Sequence, residues 1–243
     1  MKYYLPILAV LALAGSVLAE DGFSWHDNPG KYMDLKFGGK PVIRYQYEAI
    51  DESTEDRRHD TYKPFHHVFA PDGETFITKG PGGKFTHHRG IYYGFSRCSY
   101  TDAEGKEFSK IDTWHCRSAH QVHRKLIGKK AGADSATMTS EIAWISNEGV
   151  EFATEARTLG FSYNEQKDLV VDFSSTLTPK VPKVKLDGDP QHAGFQFRAS
   201  NEVAEKNQGQ TYYIRPGSGK GEPGKTINWS PKTDDETTRD LPW

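Results

Sequence analysis

The sequence predicts an all-β protein, an antiparallel β-sandwich, on three observations. Apolar and polar residues alternate with period two along most of the chain. No window of a dozen residues sustains a three-to-four repeat, and Gly, Asn and Asp punctuate the alternating runs at turn positions. Strands of this kind bury one face and wet the other, so two such sheets close over a shared core. Helix is therefore expected below about 15%, against the usual third. At 243 residues one domain is expected, since sandwiches of this length commonly fold as a unit.

Residues 1–19 stand outside that fold. Lys2 precedes an apolar run from Leu5 to Ala14, and Val17, Leu18 and Ala19 supply small residues before a cleavage point. That is a secretory signal peptide, and its apolar run is too short to span a membrane. The mature chain is then expected to begin at Glu20, to be periplasmic or secreted, and to carry no integral membrane segment.

Residues 20–206 form the expected sandwich domain, with strands at 33–37, 41–47, 65–70, 75–78, 91–98, 111–116, 121–128, 136–146, 150–161, 169–178 and 194–199. Turn residues fall between them: Gly38 and Gly39, Asp72 and Gly73, Glu104 and Gly105, Glu148 and Gly149. In 169–178, Leu169, Val171, Phe173, Ser175 and Leu177 share one face, the mark of a half-buried strand. A hairpin turning at 102–105 would set Cys98 opposite about Ser109, several residues from Cys116. Two buried thiols are expected there rather than a bridge. Residues 207–243 turn rich in Gly, Lys, Pro and Thr and read as a loop and tail that open further, missing strands, so the sandwich is read as truncated at its C-terminus.

Charge and motifs exclude two partner classes. Lys and Arg number 31 against 33 Asp and Glu, a net charge of −2, which gives no cationic surplus for nucleic acid. Gly219, Gly224, Lys225 and Thr226 spell a phosphate loop, but Pro231 follows in a stretch that cannot form the amphipathic helix the motif needs. Nucleotide binding is not expected.

The chemistry is expected among the histidines. Of 10 in the chain, seven lie between His66 and His123. Neutral imidazole both ligates metals and transfers protons near pH 7. His66, His67, His87 and His115 are the candidate metal ligands. No H-x-x-x-H or H-E-x-x-H spacing occurs, so the cofactor is left unknown and a divalent metal open. His88 and His120 are candidate acid–base groups, with Asp112 and Glu155 as their carboxylates. Asp112 would partner a histidine from a neighbouring strand, because on a strand His115 points the other way. The alternative for these carboxylates is structural: Asp112 bonding a turn, Glu155 pairing with Arg157. Arg89, Trp114, His192, Gln196 and Arg198 are candidate ligand-binding residues, Trp114 as a sugar platform. His192, Gln196 and Arg198 share a face, with Phe195 and Phe197 packing inward from the other.

The run from Lys63 to Gly90, with Phe65-His66-His67, Pro71-Asp72-Gly73 and His87-His88-Arg89-Gly90, resembles the PmoA-like family of secreted bacterial proteins. Asp112-Thr113-Trp114-His115-Cys116, Glu155-Ala156-Arg157 and His192-Ala193-Gly194-Phe195-Gln196-Phe197-Arg198 extend the likeness over most of the mature chain. The resemblance implies a sandwich similar to mutarotase-type sugar-binding folds, in bacteria that degrade glycans. The expected partner is a small-molecule or glycan ligand. Two functions follow as expectations: a carbohydrate-processing enzyme with a histidine-rich cleft, or a noncatalytic glycan-binding module. The family's label, methane oxygenase, adds a metal-dependent oxygenase as a further alternative.

Overall fold

The structure, a computed structural model, describes residues 22–189, 191–212, 214–215 and 219–224. Residues 1–19, expected as a signal peptide, and Lys225, Thr226 and the end of the chain at Trp243 lie outside them. Strand accounts for 52% of the described residues and helix for 7%, and the sheets pack as an all-β sandwich.

One sheet has six strands: β1 (Phe23–Asn28), β2 (Tyr32–Phe37), β3 (Lys40–Gln46), β4 (Phe65–Val68), β5 (Ile91–Phe95) and, closing the edge, β13 (Ala193–Phe197). The second holds β8 (Ala119–Ala131), β9 (Ser135–Ser146), β10 (Glu151–Tyr163) and β11 (Leu169–Pro179) as a meander. A small third sheet joins β6 (Cys98–Thr101), β7 (Glu107–Ile111) and β12 (Lys183–Lys185). Every pairing is antiparallel.

Burial follows the alternation. Phe23, Leu35, Ile43, Val68 and Ile91 from the first sheet meet Ala136, Leu159 and Phe161 from the second. Cys98, Tyr100 and Ile111 cover the other end of that second sheet, against Ile142, Trp144 and Phe152. Each fully buried Leu or Ile contributes about 2–3 kcal/mol. On β10 the inward positions run Ala153, Glu155, Arg157, Leu159, Phe161, so two charges enter the core together.

Several elements depart from the sequence expectation. The 91–98 run breaks at Ser96–Arg97, where the chain leaves the first sheet to start the third. Residues 111–116 are mostly loop, because Asp112 caps a tight turn instead of extending β7. Residues 75–78 contribute only the bridges Phe69–Phe76 and Thr78–Ala199. β1 and β12 were not expected, nor was α1 (Glu55–Thr61), whose polar sequence shows no apolar period. It starts on Thr54, whose side chain accepts from Arg57 N, with Glu55 and Asp56 in its first turn. The hairpin turn at 102–105 is present, with Cys98 opposite Ile111 after a bulge. Both thiols are free and buried, and burial pushes them up, Cys98 to about 12 and Cys116 to about 11. After β13 come α2 (Asn201–Glu205) and the hairpin β14 (Ile214–Arg215) to β15 (Gly219–Lys220). Gly219 of the phosphate-loop pattern therefore sits in a strand. Among the described residues no helix is long and apolar enough to cross a membrane.

Candidate metal centre

Three loops meet beside the β5–β13 edge, and each brings one histidine. His87 comes from the loop after Thr78, His115 from the turn between β7 and β8, and His192 from the approach to β13. One ligand atom from each lies within 4.8 Å of the other two. The ring centroids of His87 and His115 are 4.5 Å apart, and those of His115 and His192 are 5.2 Å apart. The loops are pinned from below. Arg198 N donates to Gly90 O and Lys79 N to Arg198 O, so the His87 loop is tied at both ends to the segment after β13. Thr113 N donates to Phe95 O and Phe95 N to the Thr113 hydroxyl, which lays the His115 turn along β5.

The outer contacts decide which nitrogen each ring offers. Asp112 Oδ1 accepts from the backbone N–H of Trp114 and His115, while Oδ2 pairs with His115 Nδ1 at 2.9 Å. Asp189 Oδ1 pairs in the same way with His192 Nδ1 at 2.6 Å. Each carboxylate lies three residues before its histidine, and with Nδ1 so engaged each ring has Nε2 as the nitrogen to offer. His87 Nε2 is buried and has no hydrogen-bond partner. Burial, then the neighbouring His88 and His115, hold His87 down to about 2, so it is a neutral donor at any working pH. Imidazoles oriented by carboxylates are the usual outer support of zinc-type sites. Zinc–nitrogen bonds of about 2.1 Å put ligand nitrogens roughly 3.4 Å apart, so from within 4.8 Å the nitrogens need close in by at most about 1.4 Å. Cys116, directly after His115, holds φ at 57°. A non-glycine residue in that left-handed region is the kind of strain that collects at working sites.

A cleft of about 220 Å³ opens onto His87 and His115, walled by Glu55, Arg58 and His59 of α1, by Thr86 and by Arg117. His88 stands against His87, with ring centroids 4.5 Å apart, and stacks on the partly exposed Phe85. Burial first, then Arg198 and Lys63, hold His88 down to about 3. The ground beneath is cationic. Arg89 is fully buried, and its guanidinium donates to the carbonyls of Thr86, His88 and His59. Lys63 donates to Trp114 O, and burial lowers it to about 7. Among the described residues neither has a carboxylate in salt-bridge contact.

The sequence candidates divide. His87 and His115 come together as proposed ligands, and His192, taken for a ligand-binding residue, completes the set. His66 and His67 do not reach it. His66 is buried on β4 against Tyr45, while His67 points to the other face, stacked on Phe76 with Nδ1 bonded to the Thr78 hydroxyl. His120 lies on β8 opposite Ile145, in the field of Arg58, Glu52 and Arg124. Asp112 partners its own His115, because the turn brings i and i+3 to one side where a strand would part them. Glu155 is sealed in the core. Its carboxylate takes both Arg157 Nε and Nη2, Trp144 Nε1 and the Ser175 hydroxyl, and so cannot meet a substrate. Trp114 is 0% exposed, buried under Arg198, whose guanidinium carbon lies 5.9 Å from its ring, so it is no sugar platform. Arg89 acts from beneath as a clamp. Gln196 sits on β13 opposite Tyr92, and Phe195 and Phe197 face outward, 47% and 49% exposed, instead of packing inward. Sequence reading missed Lys63, Arg58, Arg117 and Phe85. Only Lys63, next to Pro64-Phe65 in an apolar surround, left a trace.

Neither a curated protein nor a solved structure matches the chain. A family model described as a family of unknown function, DUF6807, matches residues 32–238. That span contains all three histidines and both carboxylates behind them, and the chain belongs to the DUF6807 family.

Proposed function

We propose that the protein is a secreted metal-dependent hydrolytic enzyme acting on carbohydrate, with His87, His115 and His192 as ligands of one zinc-type dication. The observation that carries this reading is the convergence of three imidazoles, two of them held by carboxylates at Nδ1. A dication held by three histidines keeps an open position, acts as a Lewis acid and brings the pKa of a bound water close to 7. Asp112 and Asp189 fix the tautomers and ring orientations of their histidines. His88, neutral and beside His87, is placed to hydrogen-bond the reacting water and orient it for attack. Phe85, 39% exposed against His88, offers the flat apolar face on which a sugar ring packs. The carbohydrate part of the reading rests on that platform and on the sandwich architecture.

Titration of chelator-treated protein with zinc, followed by elemental analysis, tests the centre. One ion per chain is expected, with His192→Ala lowering affinity at least about a hundredfold and His120→Gln leaving it unchanged. A screen of acylated and glycosidic substrates should give turnover that chelation removes and zinc restores. Stoichiometric zinc without any turnover would make the protein a metal-bearing glycan-binding module, and no zinc at all would end the proposal.

A further inference from the structure

The cleft in front of the histidines carries charge that the centre itself does not need. Arg117 follows the His115-Cys116 step, so its Cα lies two residues from a proposed ligand. Its carbonyl accepts from Asn147 Nδ2, which fixes the backbone while the side chain stands exposed. Among the described residues it forms no ion pair. Arg58 reaches the same side from α1. Its Nη1 donates to Cys116 O, and its only carboxylate among the described residues is the well-exposed Glu52 at 3.4 Å, a contact worth little in water. The cleft also holds one carboxylate, Glu55, three residues before Arg58 on α1, which borders an adjoining depression with Asp56 and Asp60 as well. Two guanidinium groups thus face one carboxylate in the cleft, and both arginines lie next to the His115-Cys116 step, Arg117 in sequence and Arg58 through Cys116 O.

Beneath that end lie Arg89, over the Tyr62 ring at 5.0 Å, and Lys63. Their donors go to carbonyl groups, which accept hydrogen bonds but cancel no charge. Guanidinium groups lining a small cleft over a buried arginine with no carboxylate partner recognise a planar or tetrahedral oxyanion, which they can grip with paired N–H donors. At about 220 Å³ the space is below the roughly 300–1,000 Å³ of drug-sized ligand sites, so it takes one ring rather than a whole oligomer.

We infer that Arg58 and Arg117 form an oxyanion subsite beside the histidine centre, and that the substrate is an acidic sugar, its carboxylate or sulfate ester seated between the two guanidinium groups. This rests on the reading of the centre as the reacting site, but the subsite is built from different residues and can be tested apart from it.

The test is isothermal titration of the full chain, zinc-loaded and chelator-treated, with methyl glucuronide, its methyl ester and a 6-sulfated methyl glucoside. At least one acidic sugar should bind about tenfold or more tightly than the neutral ester in both protein forms, with affinity falling as salt is raised. Which acid binds better identifies the group. Arg117→Glu should erase the preference, and Lys129→Glu, a charge reversal on the exposed end of β8, should leave it intact. Equal binding of acid and ester, no binding of any probe, or a preference that disappears with the metal would overturn the arginine subsite. A preference that depends on Arg117 in a protein that takes up no zinc would keep the subsite and overturn the metal centre instead.

Discussion

At the scale of single residues, the turn at 112–115 holds most of the site's chemistry. Asp112 does two separable jobs: Oδ1 caps the turn through two backbone N–H groups, and Oδ2 sets the tautomer of His115. Asp112→Asn separates them. The amide oxygen still caps the turn, but its NH2 can only donate to His115 Nδ1, which drives the imidazole proton to Nε2, the nitrogen a metal needs bare. Zinc affinity should fall about 10- to 100-fold, the usual effect of losing such an outer contact, while the melting temperature barely moves. A large loss of stability with unchanged zinc affinity would make Asp112 a turn residue alone. Glu155 shows the opposite case. It and Arg157 form a bonded pair at 2.7 Å, each fully buried. Their spacing on β10 was readable, yet sequence could not tell a pair that satisfies itself inside the core from one that lines a cleft.

At the scale of elements, the site depends on how closely a loop can lie on a strand. Gly94 in β5 faces the His115 turn, and a Cβ there would sit 2.7 Å from Thr113 O, inside contact distance of a backbone atom. Gly94→Ala should lift the turn off β5, costing about 1–3 kcal/mol of stability and weakening zinc binding with it. Gly128→Ala in β8 meets nothing within 4 Å and should cost nothing. Urea unfolding with zinc titration of both variants checks this; equal behaviour of the two would show that the turn does not need the contact. The same distinction explains what was legible. Long strands such as β9, β10 and β11 announce themselves by period two, since one face is buried along their whole length. Loops carry no period, so residues 111–116, mostly loop, were read as a strand, and His115 was placed on the wrong side of Asp112. His87 and His115 could be suspected as ligands from density alone. His192 could not be added, because it reaches the trio only through the pairing of β13 with β5, a contact across about a hundred residues that no local pattern records.

At the scale of the whole molecule, the interior is unusually rich in imidazole kept neutral. Burial, then Arg157 and His67, hold His66 well below its ordinary value, and burial, then Arg44 and Arg89, hold His67 at about 3. His59, His120 and His123 are lowered too, chiefly by burial. These pKa values are depressed on folding, so their contribution to stability is complete above about 6.5, the unfolded value. Below it the unfolded chain takes up protons that the folded chain refuses, and stability is lost as pH falls toward 3. Each of the two fully buried rings should remove about 2 kcal/mol by pH 5, a large share of the 5–15 kcal/mol typical of a whole domain. Lys63 works in a higher window, its contribution complete above about 10.5 and lost as pH falls through about 7. Both trends have one sign, so the chelator-treated protein should grow steadily more stable from pH 5 to mildly alkaline pH, with no maximum near neutrality. Urea unfolding at pH 5, 7 and 9 measures this, and His66→Phe, which keeps a ring against Tyr45, should reduce the loss between pH 7 and pH 5 by about 2 kcal/mol. A stability independent of pH between 7 and 5 would mean that the buried rings admit protons without unfolding, and that the polar layer beneath the centre is wet.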